Sequence, residues 1–206
     1  MANFTIKKLK TDYLTAQKEQ EQALHNVING ETETLFINEL NDVYTAGTSA
    51  NIETDYFNKE IPLVETGRGG EITYHGPGQI VAYPILNLNN RDKDLRKYIE
   101  NLQQWIINTL DHFDIEAFTT DDVGVWVKND NGSIKKIAAI GIRVRKWITF
   151  HGIALNVNPD LEKFNGIVPC GIKTHGVTSI SQILGKEISN QDVEYILIEE
   201  FKKTFK

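Results

Sequence analysis

The sequence predicts an α/β (α+β) fold, with mixed or antiparallel sheets and helices packed against them. Three observations predict it. Two long segments carry apolar residues at helical spacing, and several short runs rich in β-branched and aromatic residues are bounded by turn residues. Asn131-Gly132, the strongest short hairpin signal, stands between two such runs.

Taken in order, residues 11–29 read as the first helix. Tyr13, Ala16, Ala23, Leu24, Val27 and Ile28 fall on one side of it, and Gly30 stands where a C-terminal cap belongs. Residues 34–38 and 42–45 read as strands, and 61–65 as a short strand leading into a glycine-rich stretch. Residues 80–86 form a strand that anchors this stretch to a sheet. The second helix spans 92–113, with Leu95, Tyr98, Ile99, Leu102, Trp105, Ile106 and Leu110 as its apolar stripe; Trp105 belongs to the core. Residues 123–128 and 135–145 are the strands either side of Asn131-Gly132. Lys146-Trp147 then turns the chain into a strand at 148–157. The last helix starts near Ser189, with Asp192 as capping-box partner and Val193, Ile196, Leu197 and Phe201 facing inward. No repeat, linker or low-complexity segment divides the chain, so residues 1–206 are expected to form one domain.

Composition narrows the function. At 206 residues, 40% hydrophobic and 24% charged, the chain is an ordinary soluble globular sequence. A formal charge of −6 argues against a protein that coats nucleic acid. No apolar run reaches membrane-spanning length and MANFTIKKLK has no signal-peptide core, so a cytoplasmic location is expected and no membrane partner. A single cysteine, Cys170, excludes an intrachain disulfide and a thiolate-rich zinc site, and the five histidines form no HExxH pair; no metal is expected.

The densest feature is RGGEITYHGPGQ, where Gly69, Gly70, Gly76 and Gly78 surround Thr73, Tyr74 and His75. Such a cluster marks either a structural turn or backbone that approaches a ligand closely. Arg68 adds a fixed cation, and His75 a group that titrates near neutrality in its ordinary state. Cys170 sits in GIVPCGIKTHGV between Pro169 and Gly171. It is either a small buried hydrophobe or a reactive thiol. A free thiol of pKa ~8.5 is mostly protonated at pH 7, and a nearby ammonium lowers that pKa by one to two units, about ten-fold or more in thiolate. Lys135 and Lys136 open the apolar run Ile137-Ala138-Ala139-Ile140-Gly141, where a lysine either points over an apolar pocket or stays solvated. Gly166 to Gly171 has phosphate-loop spacing but is followed by Ile172, and no dinucleotide fingerprint is complete. A nucleotide site of standard design is absent, and no cofactor is expected.

Three blocks together, RGGEITYHGPGQ, KIAAIGIRV with FHGIALNV, and NGIVPCGI, resemble the lipoyl(octanoyl) transferases. The similarity runs from about Val43 onward in the family's order. The resemblance implies the biotin/lipoate protein ligase catalytic-domain fold. It implies transfer of an octanoyl group from octanoyl-acyl carrier protein to a lysine of lipoyl domains, in 2-oxoacid dehydrogenases and the glycine cleavage H protein. The enzyme would be a monomer. Carried over by position, Cys170 would be the acyl-thioester nucleophile and Lys136 the residue that lowers its pKa. The donor pocket would comprise Arg68, Gly69, Gly70, Glu71, Ile72, Thr73, Tyr74 and His75, with Ala139-Ile140-Gly141 and Gly152-Ile153-Ala154. His75 would orient a water or the incoming amine. Arg143, Arg145 and Lys146, at the turn after the Lys136 strand, are either a basic patch for the acidic carrier or a solvated hairpin end. Alternatives on the same fold are an ATP-dependent lipoate or octanoate ligase and a lipoyl-domain amidotransferase. One departure is that Leu40-Asn41-Asp42 precedes Val43 where the family commonly has His-Pro-Pro, which bears on the pocket rim.

Overall fold

The structure, a computed structural model, describes residues 4–129, 131–168 and 176–206. The chain opens with β1 (Thr5–Thr11), α1 (Tyr13–Ile28) and β2 (Thr34–Leu40). The Asp12 carboxylate caps α1 by accepting from the Thr15 N–H at 3.0 Å, and Gly30 leaves the helix at φ +90°. Next come β3 (Val43–Ala46), the single turn α2 (Ile52–Asp55), β4 (Leu63–Glu65), β5 (Ile72–His75) and β6 (Gln79–Ile85). The helix α3 (Leu95–Asp111) precedes β7 (Ala117–Phe118), β8 (Val125–Lys128), β9 (Ile134–Arg145) and β10 (Ile148–Asn156). After β11 (Gly176–Val177) and α4 (Ile180–Leu184), α5 (Asn190–Thr204) begins at Ser189, whose hydroxyl accepts from the Asp192 N–H.

Among the described residues the strands form two sheets. The larger runs β1-β2-β6-β10-β9-β8-β7, with β11 beside β9; the smaller runs β4-β3-β5. Pairing is mixed, as the sequence predicts: β1 with β2, β11 with β9 and β3 with β4 are parallel, and the others antiparallel. The strand period of two sorts each central strand between two cores. Leu35, Ile37, Ile80, Ala82, Ile153 and Leu155 join α3 and α5 on one face. Phe36, Val81, Tyr83, Ile85 and Ala154 join α1 on the other. Because both faces are covered, β6 and β10 are buried at every residue, including the polar Gln79, Thr149, His151 and Asn156. Trp105 is fully buried against Phe201 and Phe205, and its indole N–H donates to the Leu197 carbonyl at 2.7 Å.

The β9–β10 turn forms at Lys146-Trp147, both with left-handed φ (53° and 63°), the geometry of a two-residue hairpin loop whose twist matches its strands. Some elements differ from the sequence reading. β1, TIKKLKT, is an additional edge strand, half exposed and lysine-rich. β5 lies inside the glycine-rich stretch. On α5, Ile198 is buried where Ile196 is only half-buried, and on α3 Leu95 is exposed at the first turn.

Candidate active site

The glycine-rich stretch is shaped by close backbone approach. A Cβ on Gly47 would lie 2.2 Å from the Gly70 carbonyl oxygen, so the chain after β3 presses against the loop before β5. Thr48 and Ser49 donate their N–H groups to the Arg68 and Gly70 carbonyls, and Gly69 donates to the Ile142 carbonyl on β9 at 2.9 Å. Inside this lock the buried Arg68 guanidinium is held by backbone. Its Nη2 donates to the Thr45 carbonyl (2.6 Å), Thr45 Oγ1 (2.9 Å) and the Glu71 carbonyl (2.9 Å), and Nη1 donates to the Gly69 carbonyl (3.0 Å).

Beside Arg68 opens a cavity of about 230 Å³. Arg68, Gly70, Glu71, Thr73 and His75 line it, as do Lys136, Ala139, Ile140, Gly141, Gly152, Ile153 and Ala154. The two short segments are register partners: Ala139 faces Ala154, Ile140 faces Ile153, and Gly141 faces Gly152 across β9 and β10. Small residues directly opposite one another leave room above the sheet, which explains why two distant motifs share that composition. Of the residues singled out from sequence, Ile72 and Tyr74 do not line the cavity. Alternation along β5 turns them into the small-sheet core with Tyr44, Phe164 and Ile167, while Thr73 and His75 face the cavity. Gly69 also lies off the lining and serves by its backbone bond to β9. Cys170 and its neighbours at 169–175 lie outside the described residues.

Lys136 is 7% exposed. Its ammonium donates to the Val123 carbonyl at 3.1 Å and lies 4.6 Å from the Trp126 ring centroid. Gly124, at φ +146°, leaves the space this side chain fills: a Cβ there would meet Lys136 Cε at 2.9 Å. Lys136 also lies between β8 and β11, paired with Trp126 and Val177. β11 starts at Gly176, so the strand that follows the Cys170 segment runs alongside Lys136.

The histidines differ from the sequence expectation. Burial, reinforced by the Arg68 charge and by His151, pushes His75 down to about 3, so its imidazole is neutral at physiological pH. His151, which the sequence reading passed over, is also buried in the lining; burial and then Arg68 push it down to about 4. It takes a left-handed φ of 57°, and its N–H donates to the side-chain oxygen of the fully buried Gln20 on α1 at 2.8 Å. Tyr13, Ser49, Tyr83, Asp122 and Val123 complete the lining and were likewise not singled out from sequence. The two tyrosines stay protonated, Tyr13 pushed up to about 12 by burial. Their only sequence signal was an aromatic on an apolar face, which reads as core. Among the described residues no group of His, Cys, Asp or Glu is arranged to hold a metal ion.

Asp42, at the departure from His-Pro-Pro, ties the small sheet to the 3₁₀ turn at Leu161–Gly166. It accepts from the Tyr74 hydroxyl at 2.6 Å and from Lys163 Nζ at 2.7 Å, and Tyr44 donates to the Lys163 carbonyl. Arg143, Arg145 and Lys146 of the basic patch are all exposed, and Arg143 also lies over the Phe150 ring and against Gly67. Gly152 has no spare room: a Cβ there would be 2.3 Å from the Ala82 carbonyl oxygen and 2.7 Å from Pro84 Cδ. Gly152→Ala is therefore expected to destabilise the protein by about 1–3 kcal/mol by forcing β6 from β10. A urea midpoint that drops with an unchanged m-value would show it; an unmoved midpoint would mean the contact yields without cost.

The mixed sheet covered by α1 on one side and α3 and α5 on the other is similar in fold to lipoate and biotin protein ligases. Superposition on a bi-partite lipoate protein ligase from Thermoplasma acidophilum gives a TM-score of 0.77 at 17% identity, covering 99% of this chain and 84% of that one. A biotin protein ligase from Aquifex aeolicus gives 0.61 at 17% identity, covering 99% and 70%. At this identity the likeness is one of fold. Residues 12–202 match the lipoyl protein ligase A/B catalytic domain, and the chain belongs to that family. It is 49% identical over 199 residues to an octanoyltransferase of Rickettsia prowazekii, across 95% of each chain.

Proposed function

We propose that this protein is an octanoyltransferase of protein lipoylation. It takes the octanoyl group from octanoyl-acyl carrier protein, holds it as a thioester on Cys170, and passes it to a lysine of lipoyl domains, including the glycine cleavage H protein. The observation that carries this reading is the 49% identity to an octanoyltransferase over 95% of both chains. The cavity supports it: a floor of paired small residues suits a narrow acyl chain, and two buried cations, Arg68 and Lys136, suit the charge that develops on a thioester carbonyl.

In the first half-reaction the Cys170 thiolate attacks the donor carbonyl. A carbon–sulfur bond forms to Cys170, the bond to the carrier's sulfur breaks, and Lys136 supplies the proton to the departing thiolate. In the second, the acceptor amine attacks the octanoyl-Cys170 carbonyl, the amide forms, and Cys170 leaves as thiolate while the amine's proton returns to Lys136. Thioester exchange is nearly balanced and amide formation runs downhill, so no nucleotide is consumed. The protein acts in the cytoplasm as a monomer, and among its described residues no helix is long and apolar enough to cross a membrane.

Intact-mass measurement after mixing with octanoyl carrier protein, without ATP, is expected to show one added octanoyl group, mapped by digestion to Cys170. Lipoyl domain added afterwards should discharge it. No adduct, with transfer only from free octanoate and ATP, would establish a ligase instead.

A further inference from the structure

The carboxamides buried behind His75 form a chain of hydrogen bonds whose direction is fixed at both ends by backbone carbonyls. Asn156 Nδ2 donates to the Thr178 carbonyl at 2.9 Å, and a carbonyl only accepts, so Asn156 Oδ1 is left as an acceptor. Gln79 Nε2 donates to that oxygen at 2.9 Å and to the Tyr74 carbonyl at 3.2 Å. A flipped Gln79 would set oxygen against oxygen twice, so Gln79 Oε1 is an acceptor, and it faces His75 Nδ1 at 3.3 Å. The proton of the neutral imidazole is therefore on Nδ1. Nε2 keeps its lone pair and has no hydrogen bond to another described residue, while the ring lines the cavity. Gln79 is 1% exposed in the otherwise apolar strand β6.

We infer that Gln79 and Asn156 are positioning residues that lock His75 as its Nδ1–H tautomer, so that Nε2 accepts a hydrogen bond from the acceptor lysine's amine and aims its lone pair at the acyl carbonyl. The identity of the amine rests on the transfer reading above; the tautomer does not. A neutral imidazole beside Arg68 is a poor proton store, so its contribution is alignment, and Lys136 remains the group that takes the proton. The relay ends at Thr178, whose N–H donates to the Lys136 carbonyl at 3.0 Å, which connects the two functional side chains through β11 and β9.

Long-range proton–nitrogen NMR of the full chain labelled with ¹⁵N-histidine tests the lock directly, with the His75 signals assigned by their loss in His75→Phe. The wild type is expected to show a protonated Nδ1 and a lone-pair Nε2 at pH 7. An Nε2–H form, or rapid mixing of the two, would overturn the inference without any variant. Gln79→Met, of similar size but without the acceptor, should release the tautomer. In single-turnover assays Gln79→Met should slow discharge of octanoyl-enzyme to lipoyl domain relative to its formation by about 10²-fold. Equal effects on both half-reactions would overturn the alignment role. A wild-type enzyme that never acquires the octanoyl group would instead overturn the transfer reading and leave the NMR result standing.

Discussion

Lys136→Met is expected to slow octanoylation of Cys170 by about 10²–10⁴-fold while leaving the fold at least as stable. The activity loss follows from the proposed role: the thiol loses the adjacent positive charge that favours its thiolate, and the departing thiol loses its proton donor. The stability half follows from the surroundings of the ammonium. It is buried and rests on the Val123 carbonyl and the Trp126 ring, with no carboxylate ion pair among the described residues. A buried cation so placed costs desolvation energy, and methionine fills much the same volume without it. Octanoyl-enzyme formation by rapid quench and mass spectrometry measures the first effect, and thermal unfolding the second. Normal acylation in Lys136→Met would remove Lys136 from the mechanism. A collapse in stability would show it to be a structural strut.

That Lys136 enters the cavity was not legible from its own strand, where Lys135 and Lys136 are equivalent until the register is known. Pairing with Trp126 and the void left by Gly124 settle which one turns inward. The sequence was most legible where one physical rule dominates. The stripe of α3 and the Ser189 cap of α5 both follow from local periodicity or capping chemistry. The slot was legible as composition, since Ala139-Ile140-Gly141 and Gly152-Ile153-Ala154 are conspicuously small, but their facing one another is a property of β9–β10 pairing. Polar residues inside apolar elements were the least legible. Gln20 sits on the buried face of α1 because the strained His151 N–H needs an acceptor, and Gln79 and Asn156 lie in buried strands because His75 needs a fixed proton. Each is explained only by a partner on another element, at least four residues away in sequence. β1 was missed for the opposite reason: as an edge strand beside β2 it lacks the apolar content that marks an interior one.

Unfolding free energy is expected to fall by about 4 kcal/mol between pH 7 and pH 5, an amount close to the whole stability of many domains. The cause is the pair of buried histidines. In the unfolded chain each titrates near its ordinary 6.5, whereas in the folded protein His75 is held at about 3 and His151 at about 4. Below pH 6.5 the unfolded chain therefore binds protons that the folded chain refuses. The stabilisation is complete above pH 6.5 and drains away as pH falls toward the folded values. Each histidine supplies about 2 kcal/mol of the change over this window, the slope approaching about 1.4 kcal/mol per pH unit. The groups facing them reinforce the sign. Arg68 opposes protonation of both, Arg143 opposes it at His151, and Tyr13, Tyr83 and Phe150 contribute ring surface; only Gln79 favours a charged His75. The lowered carboxylates Asp12, Glu39, Asp42, Asp92 and Glu200 act in the same direction, but only as pH falls past about 4, below the window. Urea titrations at pH 5, 6 and 7 would measure the slope. His75→Gln and His151→Asn, the latter chosen because asparagine accepts a left-handed φ, should each remove about half of it. A wild-type stability that is level across this range would mean that both imidazoles take up protons in the folded state, and the cavity would then be more strongly cationic in acid than its geometry implies.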